Sequence, residues 1–183
     1  MSSQLRIIGG EWRSRRITFD DAPGLRPTPS RVRETLFNWL QADIPGSRCL
    51  DLFAGSGALG FEAASRGAKS VLQVENNAKS CQTLKHNIAA LKTDKIEVVP
   101  ADVRQFLAYC TETFDLIFLD PPFGQDWIRP VCQQIAQANL LAPYGKIYIE
   151  CERNLALTEL PSNWRPLKQK VAGEVAYNLY QRQ

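Results

Sequence analysis

The stretch Cys49-Leu50-Asp51-Leu52-Phe53-Ala54-Gly55-Ser56-Gly57-Ala58-Leu59-Gly60 decides how the rest of the chain is read. Its first half is a short apolar run carrying one acid, the pattern of a buried strand. Its second half spells G-x-G-x-x-G and runs on into a helical pattern from Ala58 to about Arg66. A strand that turns through glycines into a helix opens a doubly wound nucleotide-binding fold. Glycine suits such a turn because its backbone reaches angles other residues avoid and lets a ligand approach closely. A strand-to-helix turn with no ligand is the plain alternative, because the motif is short. Glu75, which closes the next predicted strand, favours the ligand.

Two cofactors fit this stretch. A nicotinamide dinucleotide would set its pyrophosphate on the helix N-terminus and its ribose on an acid about twenty residues later, where Glu75 stands. S-adenosylmethionine would use the same turn and the same acid. It has no phosphate but carries an ammonium group, and Asp51 at the strand end suits that charge.

Working outward, strand and helix alternate. Strands are expected at about 48–52, 68–75, 95–100, 114–119 and 145–151, and helices at 58–66, 77–91, 102–110 and 127–139. Ser30 is read as the cap of an earlier helix reaching Leu40. Residues 167–171 and 175–180 form a hairpin that adds an antiparallel pair to the sheet edge. Leu5 to Ile17 reads as a β-hairpin with Gly9-Gly10 as a two-residue turn. Residues 1–24 are taken as a basic hairpin arm and residues 25–183 as the main domain.

Composition bounds the function. At 183 residues, 44% hydrophobic and 22% charged, the chain has room for one well-formed core. No apolar run approaches the roughly 20 residues of a membrane span. There is no signal-peptide core, so a cytoplasmic protein is expected. Cys49, Cys81, Cys110, Cys132 and Cys151 are widely spaced, which reads as reduced thiols with no metal framework. His86, the only histidine, reads as a residue on a solvated helix face. Residues 1–33 carry seven arginines against Glu11, Asp20 and Asp21, a net +4, while the remainder nets −1. Arginine suits bidentate phosphate contacts and stacking on bases. Arg6, Arg13, Arg15, Arg16, Arg26 and Arg31 are therefore the candidate nucleic-acid contacts, with Trp12 and Phe19 interleaved. A solvated basic arm, or one built into the core, is the alternative.

The strand at 114–119 ends in Asp120-Pro121-Pro122-Phe123. Ligands bind at this edge of a parallel sheet. The prolines stiffen the loop and remove two N–H donors, leaving carbonyl oxygens free to meet a ligand. Phe123 can stack on a planar base.

This tetrapeptide resembles the amino-methylating motif of class I S-adenosylmethionine methyltransferases, and Asp51 to Gly57 resembles their cofactor motif. Arg6 to Arg13, Leu25 to Thr28, Arg31 to Leu40 and Val171 to Tyr177 are similar to the bacterial RsmD family. The likeness covers nearly the whole chain. It implies an α/β fold of Rossmann-like type, with a mostly parallel seven-stranded sheet, an antiparallel C-terminal hairpin and a small N-terminal hairpin. It implies methyl transfer from S-adenosylmethionine to N2 of guanine 966 in 16S ribosomal RNA, naked or in an assembling small subunit, by a monomer without a metal. Asp120, Pro121 and Phe123 would then be catalytic, with Asp51, Phe53, Gly55, Gly57, Glu75 and Asp102 holding the cofactor. DNA adenine-N6 methylation and an NAD-dependent oxidoreductase are the competing readings. The first usually needs a larger recognition region, and the second has no use for the Asp-Pro-Pro-Phe loop.

Overall fold

The computed structural model describes residues 1–183. Seven strands form one sheet: β3 (Arg48–Leu52), β4 (Ser70–Glu75), β5 (Ile96–Pro100), β6 (Phe114–Leu119), β7 (Leu141–Glu152), β8 (Trp164–Ala172) and β9 (Val175–Arg182). Their order is β5-β4-β3-β6-β7-β9-β8. β3 pairs in parallel with both β4 and β6, so the chain order reverses between β3 and β6. Only β9 runs antiparallel to its neighbours β7 and β8. This is the expected α/β architecture. β7 starts at Leu141, earlier than the sequence suggests, after a register shift between Phe114 and Leu116 on β6.

Alternate residues of the central strands feed two cores. Cys49, Leu116, Phe118, Tyr148 and Tyr177 face one side, under α1 (Ser30–Trp39), α2 (Ala58–Ser65) and α3 (Ala78–Leu91). Leu50, Leu52, Ile117, Leu119 and Ile149 face the other, under α4 (Val103–Tyr109) and α5 (Ile128–Gln137). Phe37, at 0% exposure on α1, packs on Phe118 with ring centroids 5.9 Å apart. Strands apolar on both faces are what a sheet covered by helices on both sides requires.

The N-terminal pair is real but its turn is not Gly9-Gly10. β1 (Ser2–Arg6) and β2 (Arg16–Asp20) pair through Arg6 and Arg16, and residues 7–15 form a long connection. That connection is pinned to α2. The Glu62 carboxylate accepts the backbone N–H of Ile8 and of Gly9, both at 2.9 Å. Ser65 Oγ donates to the Gly9 carbonyl, and Glu11 N–H donates to the Ser65 carbonyl. A Cβ on Gly10 would lie 1.9 Å from the Ser65 carbonyl oxygen, and Gly10 has φ +82°. The glycine pair is thus needed for close docking on a helix end, a demand that sequence cannot distinguish from a tight turn. Ile7, Trp12 and Ile17 are buried in the same core as Phe37.

Ser30 is not the cap of α1. Pro29 takes that position without a side-chain cap, and Ser30 Oγ instead accepts a hydrogen bond from Arg33.

Candidate functional site

The glycine turn leaves β3 beside the point where strand order reverses. Three residues two apart take left-handed angles: Phe53 at φ +60°, Gly55 at +56° and Gly57 at +80°. The turn therefore begins at Phe53, two residues before the glycine motif. A bulky residue held there costs about 1–3 kcal/mol, and such strain clusters at ligand sites. Gly57 has no room for a Cβ, which would sit 2.5 Å from Leu84 and 2.6 Å from Phe61.

Glu75 reaches across to this turn. Its Oε1 accepts the Gly55 N–H at 2.9 Å and its Oε2 accepts the Asn77 N–H at 2.8 Å. Each oxygen keeps a lone pair for a hydroxyl. Asp102 caps α4 by accepting the Arg104 N–H at 2.8 Å through Oδ1, which leaves its second oxygen available. Asp51 is 2% exposed, and its Oδ2 has no hydrogen-bond partner. Burial above all, then the charge of Glu75, pushes its carboxyl up to about 7.

The second half of the site ends β6, the neighbour of β3. Asp120 is partly exposed, Pro121 is buried and Phe123 is 44% exposed. The Pro121 carbonyl accepts no backbone hydrogen bond. The Glu152 carboxylate accepts the Gly124 N–H, tying this loop to the end of β7. Asp120 is held well above the usual carboxylate range, by burial first, then by the charge of Glu150 and a hydrogen bond with it, then by Asp51.

Residues that sequence reading missed complete the arrangement. Trp127 packs edge-on to Phe53, centroids 5.0 Å apart, and the Arg104 guanidinium lies 4.4 Å over the Trp127 ring. Their nearness depends on α4 and α5 lying side by side. Leu25 and Thr28 span the strand ends from β3 to β7: a Cβ on Gly55 would lie 2.8 Å from Leu25, and Thr28 Oγ1 donates to Glu150 at 3.1 Å. Arg33, 2% exposed, fixes that segment by donating to the carbonyls of Thr28 and Arg6 and pairing with Glu62 at 3.4 Å. The tetrapeptide from Leu25 to Thr28 was legible as a motif, but not as a strap over the site.

The six candidate RNA arginines are all exposed, but they do not form one cluster. Arg26 and Arg31 flank Thr28, which reaches Glu150 on β7. Arg15 donates to the Ala90 carbonyl in the last turn of α3, at 3.2 Å. α3 starts just after Glu75 and runs away from the site, so Ala90 lies about 18 Å from its first residue at 1.5 Å per residue. Arg13 sits in the same far connection, and Arg6 and Arg16 pair across β1 and β2.

A cleft of about 380 Å³ lies elsewhere, between the segment 153–157 and the β8–β9 hairpin. It is not the space between the glycine turn and Asp120. No cluster of three or more His, Cys, Asp or Glu could hold a metal ion, and no helix is long and apolar enough to cross a membrane.

Comparison with known proteins matches this geometry. The family model described as Conserved hypothetical protein 95 matches residues 5–181. Ribosomal RNA small subunit methyltransferase D of Escherichia coli (strain K12) is 45% identical over 182 residues, covering 100% of this chain and 92% of that protein. The protein of the same name from Haemophilus influenzae is 43% identical, covering 97% of this chain and 94% of its own. The solved structure of yhhF from Escherichia coli, described as a methyltransferase, matches with a TM-score of 0.93 at 44% identity over 99% of each chain. With a family model matching residues 5–181 and relatives 43–45% identical over nearly the whole chain, the chain belongs to the Conserved hypothetical protein 95 family, that of the ribosomal RNA small subunit methyltransferases D.

Proposed function

We propose that the chain methylates the exocyclic N2 of a guanine in 16S ribosomal RNA, guanine 966 by its family likeness, with S-adenosylmethionine as the methyl donor. The enzyme is an S-adenosylmethionine-dependent methyltransferase acting on ribosomal RNA of the small subunit. The observation that carries the finer reading is the meeting of two loops across one strand junction: the Phe53–Gly57 turn after β3 and Asp120-Pro121-Pro122-Phe123 after β6.

The residues present fit the cofactor. Glu75 has free lone pairs for ribose hydroxyls, Asp102 has a free oxygen for the adenine amine, and the unpartnered Asp51 Oδ2 suits an ammonium group. When bound, the cofactor supplies a methyl group already activated on a sulfonium. The protein must then improve the weak partner, an amino nitrogen whose lone pair is delocalised into the guanine ring. The Asp120 carboxylate and the Pro121 carbonyl accept its two hydrogens and let the nitrogen turn pyramidal. Phe123 stacks on the base, which must be presented unpaired. This is positioning plus electrostatic stabilisation.

Residues 1–24 serve as an RNA-gripping arm on the methyltransferase domain of residues 25–183. Arg26 and Arg31 meet phosphates near the target, and Arg6, Arg13, Arg15 and Arg16 meet the RNA farther along. The protein works as a monomer in the cytoplasm, on free rRNA or an assembling subunit.

The test is methylation of unmodified 16S rRNA and of small subunits with labelled S-adenosylmethionine, followed by nucleoside analysis. N2-methylguanosine at one site is expected. Asp120→Ala should cut single-turnover methylation roughly 100-fold or more, with cofactor affinity little changed. Methylation of adenine instead, or a wild-type rate from the mutant, would overturn the reading.

A further inference from the structure

Asp120 has a built neighbour. The pairing of Leu119 with Ile149 on parallel strands sets Asp120 and Glu150 side by side at the catalytic edge. Glu150 is 7% exposed. Its Oε1 accepts two hydrogen bonds, from Thr28 Oγ1 at 3.1 Å and from the Tyr148 hydroxyl at 2.8 Å. Both donors sit on Oε1, and the adjoining Glu150 carboxyl raises that of Asp120 by its charge and by a hydrogen bond. The titratable groups facing Asp120 are Asp51 on β3, Glu150 and Tyr148 on β7, and Tyr177 on β9. All are acids or phenols. Two adjoining carboxyl groups disfavour each other's ionisation, yet the fold supplies two hydroxyls to hold the second one in place.

We propose that Glu150, oriented by Thr28 and Tyr148, is a positioning residue that makes Asp120 the proton acceptor of the methyl transfer rather than only a hydrogen-bond acceptor. This rests on the reading that Asp120 meets the amino group of the target base. The amino nitrogen uses its lone pair to bond the methyl carbon, as that carbon's bond to sulfur breaks and the electron pair stays on sulfur. The nitrogen then has one bond too many. Its N–H bond breaks, the electrons return to nitrogen, and the proton passes to the Asp120 carboxylate and on to solvent. The positive charge on sulfur and the negative charge on Asp120 disappear together. Glu150 matters because its nearby charge strengthens the proton affinity of Asp120, and an acceptor works best when its pKa lies near the working pH.

The experiment is single-turnover methylation of 16S rRNA at saturating RNA and S-adenosylmethionine, from pH 5 to 9. Glu150→Gln keeps an acceptor for Thr28 and Tyr148 while its amide donates to Asp120. The wild-type rate should show an acid limb above the ordinary carboxylate range. In Glu150→Gln that limb should move down by at least one pH unit, with the plateau rate at least tenfold lower and cofactor affinity within twofold. Thr28→Val removes one hydroxyl donor from Glu150 and leaves the Asp120 and Glu150 side chains unaltered. Without its hydroxyl, Glu150 more readily keeps the shared proton and Asp120 ionises sooner, so the limb should move down by a smaller step. A limb that stays in place in both variants overturns the proposal, since a structural role would lower rate or melting temperature without moving it. If Glu150→Gln fails to fold, the Thr28→Val profile decides alone. Asp120→Asn separates the two readings. A wild-type rate there refutes the role of Asp120 itself, whereas a dead Asp120→Asn beside unmoved limbs refutes only the role of Glu150.

Discussion

Replacing Glu75 with alanine tests the cofactor half of the site. In the structure its carboxylate does two jobs. Oε1 holds the Gly55 N–H at 2.9 Å and Oε2 holds the Asn77 N–H at 2.8 Å, which staples the glycine turn to the end of β4. The lone pairs that remain are the ones proposed to accept the ribose hydroxyls. A hydrogen bond to a charged group contributes about 1.5–3 kcal/mol. At 1.4 kcal/mol per factor of ten, losing that interaction should raise the S-adenosylmethionine dissociation constant about 10- to 150-fold. The staple contributes separately. Freeing a partly buried Gly55 N–H should cost about 0.5–1.5 kcal/mol of stability. For a chain of this size that lowers the melting temperature by about 1–6 °C. Titration calorimetry and thermal unfolding on the same preparation distinguish the two roles. Glu75→Gln, which keeps one acceptor, should fall between wild type and alanine in both. A melting temperature that falls while affinity stays within twofold of wild type would refute the ribose assignment and leave Glu75 a staple only.

The remaining expectations concern the arm and the buried acids. Removing Glu62 by Glu62→Ala strands Arg33 and two backbone N–H groups, so a loss of about 3–5 kcal/mol is expected; a melting temperature within 3 °C of wild type would show that the arm is not held there. Arg13→Ala, Arg15→Ala and Arg16→Ala together should flatten the slope of log RNA affinity against log salt by roughly 2 units, with cofactor affinity and melting temperature unmoved; an unchanged slope would show that these arginines meet no phosphates. Asp51 keeps its proton up to about pH 7 when folded but releases it near 4 when unfolded. Between those values the folded state binds more protons, so stability should fall as pH rises and then level off. Binding of the ammonium group needs ionised Asp51, so cofactor affinity should weaken as pH drops below about 7, and Asp51→Asn should flatten both dependences in unfolding and calorimetry.

What the sequence determined by itself was everything with a local signature. The Asp51–Gly60 stretch, the alternation of apolar runs with helical periods, and the Asp-Pro-Pro-Phe ending of β6 specify the sheet, the glycine turn and the loop proposed to meet the base. Backbone angle demands and side-chain periodicity act over a few residues and so are written in consecutive letters. Even there, local reading erred by degrees. Gly9-Gly10 has the composition of a turn, yet it serves a 1.9 Å clash limit against Ser65, which is 55 residues away in the chain. Phe53 sits in a glycine's conformation with no letter to announce it. Tertiary structure alone decided which residues meet. Thr28 reaches Glu150 across 122 residues, Ile8 reaches Glu62 across 54, and Trp127 closes on Phe53 through the packing of α4 and α5. It also separated the arginines that a short stretch of sequence had grouped, because α3 carries Arg15's partner Ala90 to the far edge of the sheet. Such meetings follow from strand order and helix direction, which no local pattern encodes. They set the Asp120 and Glu150 carboxyl groups side by side at the ends of β6 and β7.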